Sequence, residues 1–137
     1  MPGITVKRAV QLQAIVTDQL KEELVAELQE AADTTQQRID QIEFQSRRYL
    51  AEVQKADLSK AMSLRQQIEA EKQKHELLKK EFLDKITEVQ GLDLGAEFPR
   101  GTLEGLVELK EGDNLEAKLA GAEVIIKDGI VIEVRER

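Results

Sequence analysis

The sequence contains no cysteine, no tryptophan and a single histidine among its 137 residues. Without cysteine, disulfides, thiol catalysis and zinc–thiolate sites are excluded. Because His75 is the one imidazole, no site that needs two imidazoles can form. Aromatic residues make up only 3 % of the chain, which argues against a thick, rounded hydrophobic core.

Long apolar runs and an excess of positive charge are also missing. No run approaches the roughly 20 apolar residues of a membrane-spanning helix, and the first residues lack the apolar core of a signal peptide. The net charge of −7 and the isoelectric point near 4.9 weigh against broad binding to nucleic acids or anionic membranes. We therefore expect a soluble cytoplasmic protein that contacts no membrane and for which nucleic acid is not the expected partner.

Glycine and proline are absent from residues 18–90, a segment dominated by Ala, Leu, Glu, Gln, Lys and Arg. These residue types are strong helix formers, so the segment predicts long helices. Gly91 stands where a left-handed residue would end the last helix. Asp57 and Ser59 are competent N-caps in mid-segment, which predicts a break and a turn near 56–60.

The two halves of the helical segment carry matching heptad repeats, with mostly apolar residues at positions a and d. When the segment is folded back at residues 58–59, every a residue meets a d residue, and Val53, for example, meets Leu64. Two polar seam residues, Ser46 and Glu71, then fall opposite each other, and we predict that this candidate register pair penalises slipped alignments. Such agreement favours one antiparallel coiled-coil hairpin over two unrelated helices.

The residues outside the helical segment predict short strands. Residues 4–16 alternate apolar and polar side chains, with Arg8 as the exception, as a half-buried strand does. After residue 92, turn signals separate short apolar runs, and Asp128-Gly129 is a strong two-residue hairpin signal. The buried face of that hairpin is predicted to contain Val124, Ile126, Ile130, Ile132 and Val134.

Together these patterns predict an α+β fold with two parts. Residues 17–91 form a long antiparallel two-helix coiled-coil hairpin, with its turn near 56–60. The hairpin projects from a small antiparallel β module that both chain ends form, residues 1–16 and 92–137.

This arrangement resembles the YlqD-like family of uncharacterised small bacterial proteins. The stretches that carry the resemblance are residues 4–7 (ITVK), residues 101–109 (GTLEGLVEL) with Gly112-Asp113, and residues 126–131 (IKDGIV). The resemblance implies this architecture and a bacterial origin. It implies no activity, and no functional residues come with it.

Four apolar residues fall on the outer positions of the heptads, where a two-helix arm leaves side chains uncovered. They are candidate contacts to a partner or to a second copy: Phe44, Leu50, Leu77 and Leu83. His75 has no neighbouring cluster of ligands, and Ser46 with Glu71 lacks the pocket that nucleophilic catalysis needs. We therefore predict no catalytic, cofactor-binding or metal-binding residues and no cofactor.

The predicted function is that of a non-enzymatic coiled-coil interaction or scaffold protein, whose partner is another protein or, as a homodimer, itself. An alternative is an accessory factor of a cytoplasmic machine, such as a chaperone co-factor or a ribosome- or polymerase-associated protein. A local RNA contact at Arg47, Arg48 and Lys55 is a further alternative, although no pattern of base-stacking aromatic residues accompanies these side chains.

Overall fold

The computed structural model describes residues 2–136, which divide into two compact units. One unit contains the described residues up to Lys21 together with those from Leu92 onwards, and the other contains residues 22–91. The helices and strands follow in the order β1 Ile4–Ile15, α1 Asp18–Ala56, α2 Leu58–Gln90, β2 Glu97–Leu109, α3 Leu115–Leu119, β3 Ala122–Lys127 and β4 Ile130–Arg135. The predicted α+β fold, with two long helices and a sheet built from both chain ends, is confirmed.

The sheet has four strands in the order β2-β1-β3-β4. β1 pairs with β2 in antiparallel register from Ile4–Leu109 to Ile15–Glu97, with a bulge between Leu12 and Gln13. β1 and β3 are parallel, so the expected all-antiparallel module is wrong at this pair. The reason is topological: β2 lies on one side of β1 and β3 on the other, so the α3 connection has to cross β1.

The Asp128-Gly129 turn joins β3 to β4 as predicted. Asp128 has φ 49° and Gly129 has φ 82°, the two positive values that a type I′ hairpin turn requires. The Oγ1 of Thr17 donates a 2.6 Å hydrogen bond to the Oδ1 of Asp128 and also accepts one from the backbone N–H of Leu20. The hydroxyl therefore caps the start of α1 and fixes it to the turn.

The burial pattern of the β3–β4 hairpin differs from the sequence-based expectation. Ile125, which was not assigned to the buried face, is 1 % exposed, whereas Ile130, Ile132 and Val134 are exposed. The prediction is wrong for β4 because this strand lies at the edge of the sheet and pairs with β3 alone. The core of this unit is small, with Ala14, Val16, Leu20, Ala122 and Ile125 as its buried apolar residues.

The two long helices meet at Asp57, within the predicted break. Asp57 has extended backbone angles, and its side chain accepts hydrogen bonds from the N–H groups of Ser59 and Lys60, as an N-cap does. The last helix ends differently from the prediction. Gly91 has φ −87° and is not left-handed; its N–H donates to the carbonyls of Thr87 and Glu88, so the final turn tightens without a left-handed residue.

Side chains join α1 to α2 in antiparallel order. The Nζ of Lys72 lies 2.7 Å from a carboxylate oxygen of Glu43, and the Nζ of Lys79 donates a 2.8 Å hydrogen bond to Gln36. A step of seven residues along α1, from 36 to 43, is matched by a step of seven in the reverse direction along α2. This heptad correspondence is that of an antiparallel hairpin.

The seam of the hairpin differs in detail from the predicted a and d positions. Tyr49 is 58 % exposed and Leu78 is also exposed, whereas Leu50 and Lys79, each one residue further along, are partly covered. An α-helix drifts relative to a strict seven-residue repeat, which moves the covered stripe sideways. The aliphatic stems of Lys72 and Lys79 can cover the seam while their ammonium groups reach polar partners on α1.

Candidate interaction surfaces

The outer positions of the helices place large apolar side chains in solvent. Phe44 on α1 is 78 % exposed, and Leu77 on α2 is 64 % exposed; Leu83 is exposed to a smaller extent. Single exposed apolar residues are common, but an aromatic ring this open on a helix is a candidate protein contact. The exposure of these three side chains follows from their heptad positions.

Leu50, the fourth candidate contact, lies in a different environment. It lines a cavity of about 220 Å³ between the helices, together with Ser46 and Ile68. Its other lining residues carry charges of both signs, Arg47, Arg65 and Lys72 with Glu43 and Glu69. The residue is thus half-buried beside the seam rather than displayed on the outer face.

Lys72 and Glu43 form the ion pair beside this cavity. Their hydrogen bond raises the pKa of Lys72 and lowers the pKa of Glu43, so both groups stay charged over a wide pH range. Glu69 lies 3.7 Å from the same ammonium group. The arrangement links α1 to α2 across the hairpin.

The candidate register pair, Ser46 and Glu71, is not joined by a hydrogen bond among residues 2–136. Ser46 faces the cavity, while the Oε1 of Glu71 lies 3.4 Å from the Nε2 of His75 on its own helix. Among the hydrogen bonds of residues 2–136 there is none between Ser46 and Glu71, so the register role stays a prediction. Within the same residues no group of three His, Cys, Asp or Glu side chains could hold a metal ion.

Sequence reasoning missed an apolar stripe on the outer side of α2. Met62 is exposed and lines one shallow groove together with Ala70. Leu77 lines a second groove, and Gln73 takes part in both. The signal was present in the sequence as small and apolar residues at helical spacing opposite the seam.

The sheet unit has a second kind of exposed surface, at its edge. The apolar side chains of β4 are exposed on both faces of the strand, and the strand has no neighbour on its outer side among the described residues. Arg135, the last residue of β4, contacts three carboxylates, at 2.7 Å to Glu97, 2.9 Å to Glu133 and 3.5 Å to Glu123. The hydrogen bonds to Glu133 and Glu97 raise the pKa of Arg135, and the hydrogen bond from Arg135 lowers the pKa of Glu133.

Comparison with known proteins places this fold in a family. The sequence model of the YlqD protein family matches residues 4–135. The chain belongs to the YlqD family. Among the relatives of this YlqD-family chain is the uncharacterised protein YlqD of Bacillus subtilis (strain 168), which is 30 % identical over 128 residues, covering 93 % of this chain and 95 % of the relative.

A solved structure supports the fold of the YlqD-family chain. It is the crystal structure of a protein of unknown function from Synechococcus sp. WH 8102, with a TM-score of 0.80 and 24 % sequence identity. The likeness covers 98 % of this chain and 96 % of the other. In the part of the chain that the structure describes, no helix has the length and apolarity needed to cross a membrane.

Proposed function

We propose that this YlqD-family protein is a non-enzymatic interaction protein of the bacterial cytoplasm, and that the outer faces of its helical hairpin contact another protein chain. The observation that carries the proposal is the exposure of Phe44 on one helix and Leu77 on the other helix of an ion-paired hairpin. Burying apolar surface is favourable by about 25 cal/mol per Å², so an exposed ring and a leucine are strong sites for a contact.

The shape of the hairpin supports the same conclusion. Two open grooves on α2 contain the apolar residues Met62, Ala70 and Leu77 among polar side chains, and these three residues follow the helix as contacts to a partner helix would. The charged groups of the seam are paired in ways that fix structure, as Lys72 is with Glu43. A surface of this kind recognises another helix rather than a small substrate.

Site-specific photo-crosslinking in cells tests the proposal. A photoreactive amino acid replaces Phe44 in one strain and Leu77 in another, and the matched controls carry it at Arg38 and Gln67, exposed polar positions on the same two helices. We expect discrete crosslinked species from positions 44 and 77 and much weaker ones from the controls. Equal crosslinking at all four positions, or none at 44 and 77, would overturn the proposal.

The identity of the crosslinked protein separates the two interpretations made from the sequence. A second copy of this chain supports a self-associating scaffold. A defined component of a ribosome, polymerase or chaperone supports the accessory-factor alternative.

A further inference from the structure

The outer face of α1 carries charged residues at equal distances before and after Phe44, and the sign of the charge reverses at Phe44. Residues four, seven and eleven positions before and after a given residue lie on the same face of a helix as that residue. Counted from Phe44, these positions define what we call the α1 stripe: Asp33, Gln37, Asp40, Phe44, Arg48, Ala51 and Lys55. All seven residues are exposed.

The two halves of the α1 stripe have opposite charge. Asp40 lies four residues before Phe44 and Arg48 four residues after it; Asp33 lies eleven before and Lys55 eleven after. The two middle positions, Gln37 and Ala51, are uncharged. The stripe is therefore acidic in its first half, apolar at its centre and basic in its second half.

The charged groups of the stripe form no ion pairs within residues 2–136. Asp33 accepts a 3.0 Å hydrogen bond from the amide of Gln29, and Asp40 accepts a 2.8 Å bond from the amide of Gln36. Both donors are neutral. Among the ion pairs of residues 2–136 none involves Asp33, Asp40, Arg48 or Lys55, so all four charges remain available to a partner.

A surface of this kind is its own complement. When two α1 helices lie antiparallel about a two-fold axis at Phe44, Asp40 of each copy meets Arg48 of the other, and Asp33 meets Lys55. The two Phe44 rings meet at the axis, and Gln37 meets the small Ala51. A parallel arrangement would instead place like charges together. Isologous contact between identical patches is the usual geometry of homodimers.

We propose that the partner of the hairpin is a second copy of this chain, bound antiparallel along the α1 stripe with its two-fold axis at Phe44. This inference deepens the proposed function, on which it rests, by naming the partner and the contact. Residues 33–55 span roughly 33 Å of helix. One helix face of this length with one aromatic anchor is a small contact, so we expect a dimer that dissociates at about micromolar concentration.

A charge-exchange experiment tests the pairing. One variant carries Asp33→Lys with Asp40→Arg, and a second carries Arg48→Asp with Lys55→Asp. Each variant alone places like charges opposite each other at four points of the dimer, so sedimentation equilibrium should show dimerisation weakened about tenfold or more relative to the wild type. An equimolar mixture restores four opposite-charge contacts, and we expect it to form a heterodimer as stable as the wild-type homodimer.

The control must exclude general attraction between chains of different net charge. A second pair of variants makes the same charge changes on α2, one with Glu81→Lys and Asp84→Arg and the other with Lys74→Asp and Lys85→Asp, at positions exposed and away from the stripe. Each control variant alone should dimerise like the wild type. If the stripe variants alone dimerise as strongly as the wild type, or if the control variants alone are weakened as much as the stripe variants, the inference is wrong.

Two further results would overturn the inference in different ways. A wild-type chain that stays at its monomer mass of 15.5 kDa into the hundred-micromolar range excludes the homodimer. Crosslinking from Phe44 or Leu77 to a different protein would still support the proposed function in that case. A wild-type dimer that Phe44→Ser does not weaken would show that the copies meet on another surface.

Discussion

Replacing Ile125 by alanine should destabilise the sheet unit far more than the same change at Ile132. Ile125 is 1 % exposed and is the largest fully buried side chain of that unit, whereas Ile132 is 53 % exposed on the edge strand. Because the two substitutions delete the same atoms, the difference between their effects on stability measures the effect of burial. Large-to-small substitutions in protein cores indicate that Ile125→Ala lowers the free energy of unfolding by about 3 kcal/mol. Because Ile132 already exposes about half of its surface, Ile132→Ala should lower it by about 1 kcal/mol or less.

The assay has to report the sheet separately from the helices. The far-ultraviolet signal of this chain is dominated by α1 and α2, and its one tyrosine lies on α1. Native-state amide hydrogen exchange at strand residues such as Leu12 and Val124 measures the opening free energy of the sheet directly. Equal losses in the two variants would show that β4 is buried as its alternation suggests, and would refute the edge-strand account.

Three other predictions concern a carboxylate cluster and two helix ends. Arg135→Gln should lower the stability of the sheet at neutral pH. Because Arg135 lowers the folded-state pKa of Glu133, the ion pair stabilises the sheet above the ordinary pKa of 4.5, and this stabilisation is lost as the pH falls. The opening free energy measured by hydrogen exchange should therefore decline less from pH 6 to pH 3 in the variant than in the wild type, and an equal decline would contradict this. Asp57→Ala should cost about 1 kcal/mol of hairpin stability in thermal melts followed by circular dichroism, since it removes the N-cap of α2; an unchanged melting temperature would mean that the cap is dispensable. Gly91→Ala should be neutral or stabilising by up to about 1 kcal/mol because the φ of Gly91 is negative, while Gly95→Ala at φ 89° should destabilise the protein by about 1 kcal/mol. If chemical denaturation shows Gly91→Ala to be the more destabilising of the two, the backbone angles are contradicted.

The features that were predictable from the sequence depend on local chemistry. The helix break at Asp57 follows from an N-cap inside a run of helix formers, and the β3–β4 turn follows from Asp128-Gly129, which tolerates positive φ. The outward position of Phe44 follows from its place in the heptad, which needs no knowledge of the rest of the fold. In each case the determining interactions lie within a few residues.

The features that were not predictable depend on which elements become neighbours. Alternation shows that one face of β4 is apolar but not that the strand lies at the sheet edge, so the exposure of Ile132 and the burial of Ile125 could not be assigned. The parallel pairing of β1 with β3 is likewise a matter of strand order. In the hairpin, Leu50 and Lys79 are covered in place of Tyr49 and Leu78 because the seam drifts and lysine stems can line it.

The candidate contact surface on α1 was likewise predictable in its residues but not in their arrangement. Each charged residue of the α1 stripe is visible in the sequence, yet sequence reasoning interprets Arg48 and Lys55 only as part of a local RNA contact with Arg47. Their significance depends on Asp33 and Asp40 being exposed on the same face and without ion pairs among the described residues, and this required the packed hairpin.

Cysteine crosslinking between copies tests the antiparallel contact most directly, because the natural chain has no cysteine to interfere. In the proposed dimer Gln37 of one copy lies opposite Ala51 of the other, with helix axes about 8–10 Å apart. A mixture of Gln37→Cys and Ala51→Cys chains should therefore crosslink efficiently with a short thiol-reactive reagent. Neither variant should crosslink on its own. In the dimer the two copies of residue 37 are roughly 21 Å apart along the helices, and so are the two copies of residue 51. Equal crosslinking in all three samples, or none in the mixture, would contradict the account.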